Sequence, residues 1–209
     1  AGLFCVLRDS MIGVALRSSA MNQHVIRPVR AGEWEKVKEL RIAALRDPAA
    51  AVAFLETEEA AAGRPDAFWQ QRTEGASHGR QARQFIAEAP DGTWNGNVVV
   101  LVEEAGSTGI FDEDIEVHQG HLVGVFVRPE QRGSGLTEAL FAAAMEWAWS
   151  LEEPALERVR LFVHEENGRA AAFYRRFGFE ATGLVVPVPI DTAAREIEYV
   201  FPRPKDRKD

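Results

Sequence analysis

The chain is poor in several features that would have assigned it quickly. It has one cysteine, Cys5, in 209 residues, so no disulfide can form within it; this suits a reducing compartment. No segment reaches the ~18 consecutive apolar residues of a membrane span. The apolar start is broken by Arg8 and Asp9 and lacks the basic stretch that precedes a secretory leader's core. A cytoplasmic location is the expectation. Basic residues are in deficit, 24 Lys and Arg against 32 Asp and Glu for a net charge of −8. That argues against a nucleic-acid binder that works by neutralising phosphates. Metal-ligand spacing is also missing. His164-Glu165 is followed by Gly168 where a helical zinc motif needs a second His. His118 and His121 have neither a nearby cysteine nor a third ligand, so no metal is expected.

What is present is ordinary for a globular chain: 46% hydrophobic and 27% charged residues, with no internal repeat. A chain of this length buries a full core without cross-links. Its acidity serves solubility first, and would also draw a cationic acceptor over long range.

Residues 1–23 differ in pattern from the rest of the chain. Two short apolar runs, Leu3–Leu7 and Met11–Leu16, flank the charged pair Arg8-Asp9. Two readings stay open: an extension that docks on the domain or on a second subunit, or a natural start at Met21 with non-native residues before it. The main domain is expected over residues 24–202, with a polar tail at 203–209.

Periodicity then predicts a strand at His24–Val29 and an amphipathic helix from Glu33 to Leu45, stopped by Asp47-Pro48. Pro65-Asp66 opens a second helix carrying Phe68, Trp69 and Arg72. Strands are expected at Gln84–Glu88, Val98–Glu103 and His121–Val127, with Asp91-Gly92 and Asn95-Gly96 as hairpin signals between the first two. The segment from Glu103 to Glu116 is acidic, without a basic residue, and reads as a solvated loop. Leu136–Leu151 carries the clearest helical face, followed by a strand at Val159–Val163. A short helix at Arg169–Phe177, stopped by Gly178, and strands at Val185–Ile190 and Glu196–Phe201 complete the order. This predicts an α/β (α+β) domain with a mixed central sheet of six to seven strands and about four helices.

The stretch Val125-Phe126-Val127-Arg128-Pro129-Glu130-Gln131-Arg132-Gly133-Ser134-Gly135-Leu136-Thr137 links a buried strand to that long helix. Glycines let the backbone take turn dihedrals and let a ligand approach the amides. The first helical amides have no intrahelical acceptor and sit at the positive end of the helix dipole, a natural phosphate cradle. Arg132 is placed to add a charge-assisted contact. A Walker loop fits worse, because Gly-Lys-Ser/Thr is missing, and so does a dinucleotide fingerprint, because Glu138 stands where its third glycine belongs.

Further on runs His164-Glu165-Glu166-Asn167-Gly168-Arg169-Ala170-Ala171-Ala172-Phe173-Tyr174-Arg175-Arg176-Phe177-Gly178-Phe179. Together the two stretches resemble the GNAT superfamily of acyl-CoA N-acyltransferases. The likeness lies in the Val-x-Pro-x-x-Arg-Gly-x-Gly turn and in the spacing to a downstream Asn, small residues, Tyr and Gly-Phe. It is strong over residues 121–183 and diffuse elsewhere. Glu130 and Thr137 depart from the usual residues at their positions, and bear on how tightly CoA binds.

The resemblance implies a GNAT fold and acetyl-CoA as co-substrate. Backbone groups of Val125, Phe126 and Val127 would pair with the pantetheine arm as an added strand does. Arg132, Gly133, Ser134, Gly135, Leu136 and Thr137 would hold the pyrophosphate. Asn167 would touch the cofactor near the pantetheine, and Tyr174 would lie by its sulfur. The implied reaction is direct attack of an amine on the thioester, with Tyr174 as general acid. Glu165 is the leading candidate for general base, with His164 or a water chain as alternatives. The acceptor pocket would be walled by Phe54, Glu56 and Trp69, with Glu58 and Phe68 nearby and Asp191 across the cleft. The acceptor class is a small-molecule or peptide amine. A non-catalytic acyl-CoA sensor of the same fold is the runner-up, and a homodimer is expected because the closing strands leave sheet edges to cover.

Overall fold

The computed structural model describes residues 23–204 apart from Ile190. The predicted extension therefore lies outside the described residues except for Gln23, as does the tail except for Arg203 and Pro204.

Seven strands form one mixed sheet: β1 (Val25–Pro28), β2 (Ala82–Glu88), β3 (Trp94–Glu103), β4 (Gln119–Val127), β5 (Arg158–His164), β6 (Glu180–Val188) and β7 (Asp191–Pro202). Their order in space is β1-β2-β3-β4-β5-β7-β6. All neighbours run antiparallel except β4 and β5. Five α-helices are described: α1 (Trp34–Leu45), α2 (Glu58–Ala62), α3 (Asp66–His78), α4 (Leu136–Ser150) and α5 (Gly168–Phe177). The sequence-based expectation of an α+β domain with a mixed sheet holds.

Because strand side chains alternate between faces, the sheet builds two cores. Phe85 and Ala87 of β2 point to the core under α4 and α5, while Ile86 points to the core under α1 and α3. Helix α4 forms where it does because Leu136, Leu140, Phe141, Ala144, Met145 and Ala148 recur at helical spacing and are all buried. A fully buried side chain such as Leu140 contributes roughly 1.5–3 kcal/mol. Trp69 of α3 anchors the second core beside Val37, Leu40 and Ala44 of α1.

Two local expectations are corrected. Only Asp91-Gly92 turns the β2–β3 hairpin, with Gly92 at φ +82° and the Asp91 carboxylate accepting from Thr93 N–H at 2.9 Å. Asn95 and Gly96 lie within β3. A Cβ on Gly96 would come 2.8 Å from the Phe126 carbonyl and 3.1 Å from Leu140 Cδ1, so the glycine lets α4 pack close to the sheet.

The acidic segment is solvated at Glu104, Asp112, Asp114 and Glu116, as expected, but not at Glu103 and Glu113. Arg160, 1% exposed, binds Glu103 through Nε (2.8 Å) and Nη2 (2.9 Å) and also pairs with Glu113 and Glu198. A buried cation needs such partners, and Arg160 draws two of the segment's acids inward.

The parallel pair β4–β5 holds only from Gln119↔Arg158 to His121↔Arg160, after which the strands diverge. On its other side β4 gains one residue against β3, between Val123 and Phe126, with Gly124 at φ +63°. That bulge bends β4 away from β5. The divergence opens a cleft through the middle of the sheet.

Candidate active site

The cleft has a volume of about 450 Å³, within the range of small-molecule sites. On one side lie the second half of β4 and the turn into α4. Val125, Phe126, Val127, Gly133 and Thr137, all expected at the cofactor, line it. Gly133 at φ +77° and Gly135 at φ +86° carry the chain into α4, and Gly135 caps that helix without any side-chain hydrogen bond. The amides of Leu136, Thr137 and Glu138 are thus the open donors of a helix start. A Cβ at Gly133 would meet nothing within 4 Å, so space lies open above the turn. These residues fit an anionic phosphate group. Ser134 and Gly135 shape the turn without lining the cleft, and Leu136 sends its side chain into the core.

Arg132, expected at the phosphates, lines the cleft as well. Its guanidinium pairs with Asp47 and donates through Nε to the Val127 carbonyl at 3.2 Å. It ties the glycine turn to the end of α1, and its charge is already met. Asn167 is likewise a clasp: its side chain accepts from Ala170 N–H at 3.2 Å, capping α5, and donates to the Val52 carbonyl at 3.1 Å. It lines the cleft from that position.

Tyr174 lies on α5, stacked on Phe141 with ring centroids 5.8 Å apart and an interplanar angle of 24°. It is both a core tyrosine and a cleft wall. Burial first, and the charge of Glu196 second, push its pKa well above the ordinary phenol range, so it carries its proton at neutral pH.

Glu196 is the residue that the sequence reading missed. On β7 it pairs with His164 of β5 and Val186 of β6. Ile197, Tyr199 and Phe201 face the α4–α5 core, so Glu196 and Glu198 face the opposite side of the sheet. Glu198 is held by Arg160. Glu196 makes no ion pair among the described residues, lines the cleft, and is raised by burial to a pKa of about 7. Two acids two apart on a strand whose neighbours are apolar were the available signal. Glu165, by contrast, is exposed and does not line the cleft, whereas His164 does.

His121 also lines the cleft and bonds through Nδ1 to Glu103 at 2.8 Å. Burial favours protonated Glu103, but hydrogen bonds from His121 and Arg160 outweigh it and hold the carboxyl at about 2.

The acceptor-side expectations divide. Phe54 lines the cleft, with Arg41 Cζ 4.6 Å from its ring centroid. Glu56 instead binds Arg41 at 3.0 Å and Arg64 at 2.8 Å, and lies outside the lining. Trp69, at 1% exposure, is a core residue, because its ring completes the packing between α1 and α3. Asp191 is exposed at the start of β7. In place of these, Arg72, Ile110, Phe111 and Phe162 complete the wall.

Known proteins resemble this chain in sequence and in fold. The mycothiol acetyltransferase of Kocuria rhizophila is 43% identical over 61 residues, 29% of this chain and only 19% of that relative. Arabidopsis thaliana NAA60, solved with a bisubstrate analogue, superposes with a TM-score of 0.60 at 19% identity, covering 85% of this chain and 97% of the other. The PaiA N-acetyltransferase of Thermoplasma acidophilum, solved with coenzyme A, gives 0.61 at 15% identity, covering 85% and 99%. The Vibrio cholerae spermidine N-acetyltransferase with CoA and spermine gives 0.59 at 16%, covering 86% and 95%. These structures share the fold. The sequence pattern of the acetyltransferase (GNAT) family matches residues 64–179, more than half of the chain, from α3 through the glycine turn to the end of α5. With the divergent β4–β5 pair, the glycine-capped start of α4 and Tyr174 all inside that span, the chain belongs to the acetyltransferase (GNAT) family.

Proposed function

We propose that the protein transfers an acetyl group from acetyl-CoA to a primary amine of a small molecule or peptide, with Glu196 as proton acceptor and Tyr174 as proton donor. The carrying observation is that one cleft holds a buried carboxyl raised to about 7 and a buried phenol that stays protonated. Two groups whose surroundings push them into opposite roles are the signature of paired acid–base work. They also favour turnover over a sensor, which needs neither.

When bound, acetyl-CoA supplies an activated acyl group and a thiolate leaving group. The helix start at Leu136–Glu138 would receive its phosphates, and the β4 backbone at Val125–Val127 would align its arm. Glu196, ionised above neutral pH, takes the proton that the attacking amine must lose, directly or through a water. Tyr174 gives its proton to the departing sulfur. No third-party nucleophile is required, so positioning does most of the remaining work. Glu165 is exposed and takes no part in this scheme.

Tyr174→Phe is expected to lower kcat about 10²-fold, the low end for a general acid. A thiol leaves readily, since its pKa is only about 8.5. The KM for acetyl-CoA should hardly move. Thiol release measured with an amine panel tests this, and an unchanged kcat would remove Tyr174 from the mechanism.

A cytoplasmic homodimer belongs to the same proposal. Among the described residues no helix is long and apolar enough to cross a membrane. β6 ends the sheet with an open edge bearing exposed Leu184 and Val185. Sedimentation at micromolar concentration should give twice the chain mass; a monomer alone would refute the dimer.

A further inference from the structure

The segment after α1, residues 47–59, is rich in acids. In the folded chain three of its four acids pair with arginines. Asp47 pairs with Arg132, Glu56 with both Arg41 and Arg64, and Glu58 with Arg46. One carboxylate, Glu56, thus serves two guanidiniums, and a third arginine stands close by without a share. Arg72 of α3 lines the cleft and has no ion pair or hydrogen bond among the described residues. Arg41 also lines the cleft and engages Glu56 only through Nε and Nη2, at 3.1 and 3.0 Å.

We propose that the acceptor carries a carboxylate in addition to its amine, and that Arg72, backed by Arg41, receives it. This rests on the acyltransferase reading and adds the acceptor's chemical class.

Three cations around one anion leave excess positive charge at this end of the cleft, in a chain that is otherwise acidic. Arg72 is exposed at the cleft wall. Surrounding protein first, and then the charges of Arg41 and Arg64, lower its pKa, with Glu56 opposing them only in part. An arginine serving merely as a solvated surface residue would gain by pointing away from two other arginines. A free guanidinium fork in a concave wall matches the planar, two-oxygen geometry of a carboxylate. Its position fixes one end of the acceptor, and the Tyr174–Glu196 pair marks where the amine must arrive. Phe111 and Phe162, with ring centroids 4.6 Å apart, supply an apolar wall in the same cleft. Amino acids and short peptides with a free C-terminus have this combination, whereas polyamines do not.

The test is acetyl transfer, read as CoA thiol release, over amino acids and dipeptides. Each is paired with its C-terminal carboxamide and with the amine that lacks the carboxyl group. Wild type should prefer the acid within a productive pair by about 10–100-fold in kcat/KM, the value of one charge-assisted contact. Arg72→Met should remove that preference through a raised KM for the acid, and Arg72→Lys should restore part of it. Calorimetric titration of acetyl-CoA into Arg72→Met should match wild type. Equal use of all members of each pair, or no use of any while acetyl-CoA binds, overturns the carboxylate. So does a loss in Arg72→Met that falls equally on acid and amide. Failure of folded wild type to bind acetyl-CoA would instead overturn the acyltransferase reading beneath it.

Discussion

Glu196→Gln is expected to lower kcat/KM by about 10³-fold at pH 8, inside the range for loss of a general base. An alkyl amine holds its proton to about pH 10, so proton removal is a harder demand here than thiol departure. Wild-type kcat/KM should rise with pH through a midpoint near 7, where the Glu196 carboxyl gives up its proton. The Gln variant should lose that midpoint and keep only the acceptor's own titration. The same substitution should stabilise the fold in alkali. Burial raises the carboxyl from its ordinary 4.5 to about 7, so the folded chain favours the neutral form. Below about pH 4.5 the group is neutral whether the chain is folded or not, and it carries no penalty. Between about pH 4.5 and 7 the unfolded chain releases the proton while the folded chain keeps it, so a cost on the order of 3 kcal/mol builds up and is complete above 7. Gln avoids that cost, so its thermal midpoint should exceed wild type at pH 8 and match it at pH 4. A variant that keeps the pH midpoint, or most of its activity, would assign the base elsewhere, with His121 and its Glu103 partner next in line.

Legibility in the sequence followed the range of the interactions. The glycine turn, the face of α4 and the Asn167–Tyr174 spacing are local patterns, so the cofactor side could be read from residues a few positions apart. Residues that meet only through the sheet could not. Glu196 reaches the cleft because β7 inserts between β5 and β6, a choice of topology that no local window carries. Glu165 was attractive because it sits near Asn167 in sequence, but the strand end turns it to solvent. Trp69 looked like a pocket aromatic until the packing of α1 on α3 enclosed it. Asp47, Glu56, Glu103 and Glu113 could not be placed from sequence for one shared reason. Their partners Arg132, Arg64, Arg41 and Arg160 lie from 8 to 85 positions away in the chain, so charge counted along the chain differs from charge felt in the cleft.

The cofactor side gives the second large effect. Gly135→Asp should weaken acetyl-CoA binding by about 10²–10³-fold, because a like charge set against the phosphates costs several kcal/mol. Gly135 holds φ +86° at the cap of α4, and a side chain there adds roughly 1–2 kcal/mol of backbone strain. Gly135→Asn separates the two causes. Asn tolerates the left-handed region and carries no charge, so it should share the strain while keeping most of the affinity. Arg132→Ala should weaken binding less than Gly135→Asp, since its guanidinium is committed to Asp47 and the Val127 carbonyl.

The most direct test of an acetyl-CoA site at the glycine turn is calorimetric titration of acetyl-CoA into the wild-type protein and into Gly135→Asp, with circular dichroism confirming that both are folded. One site of micromolar strength is expected in wild type and none detectable in the variant. Absence of binding by folded wild type, or equal binding by both proteins, would contradict the phosphate cradle and the acyl transfer built on it.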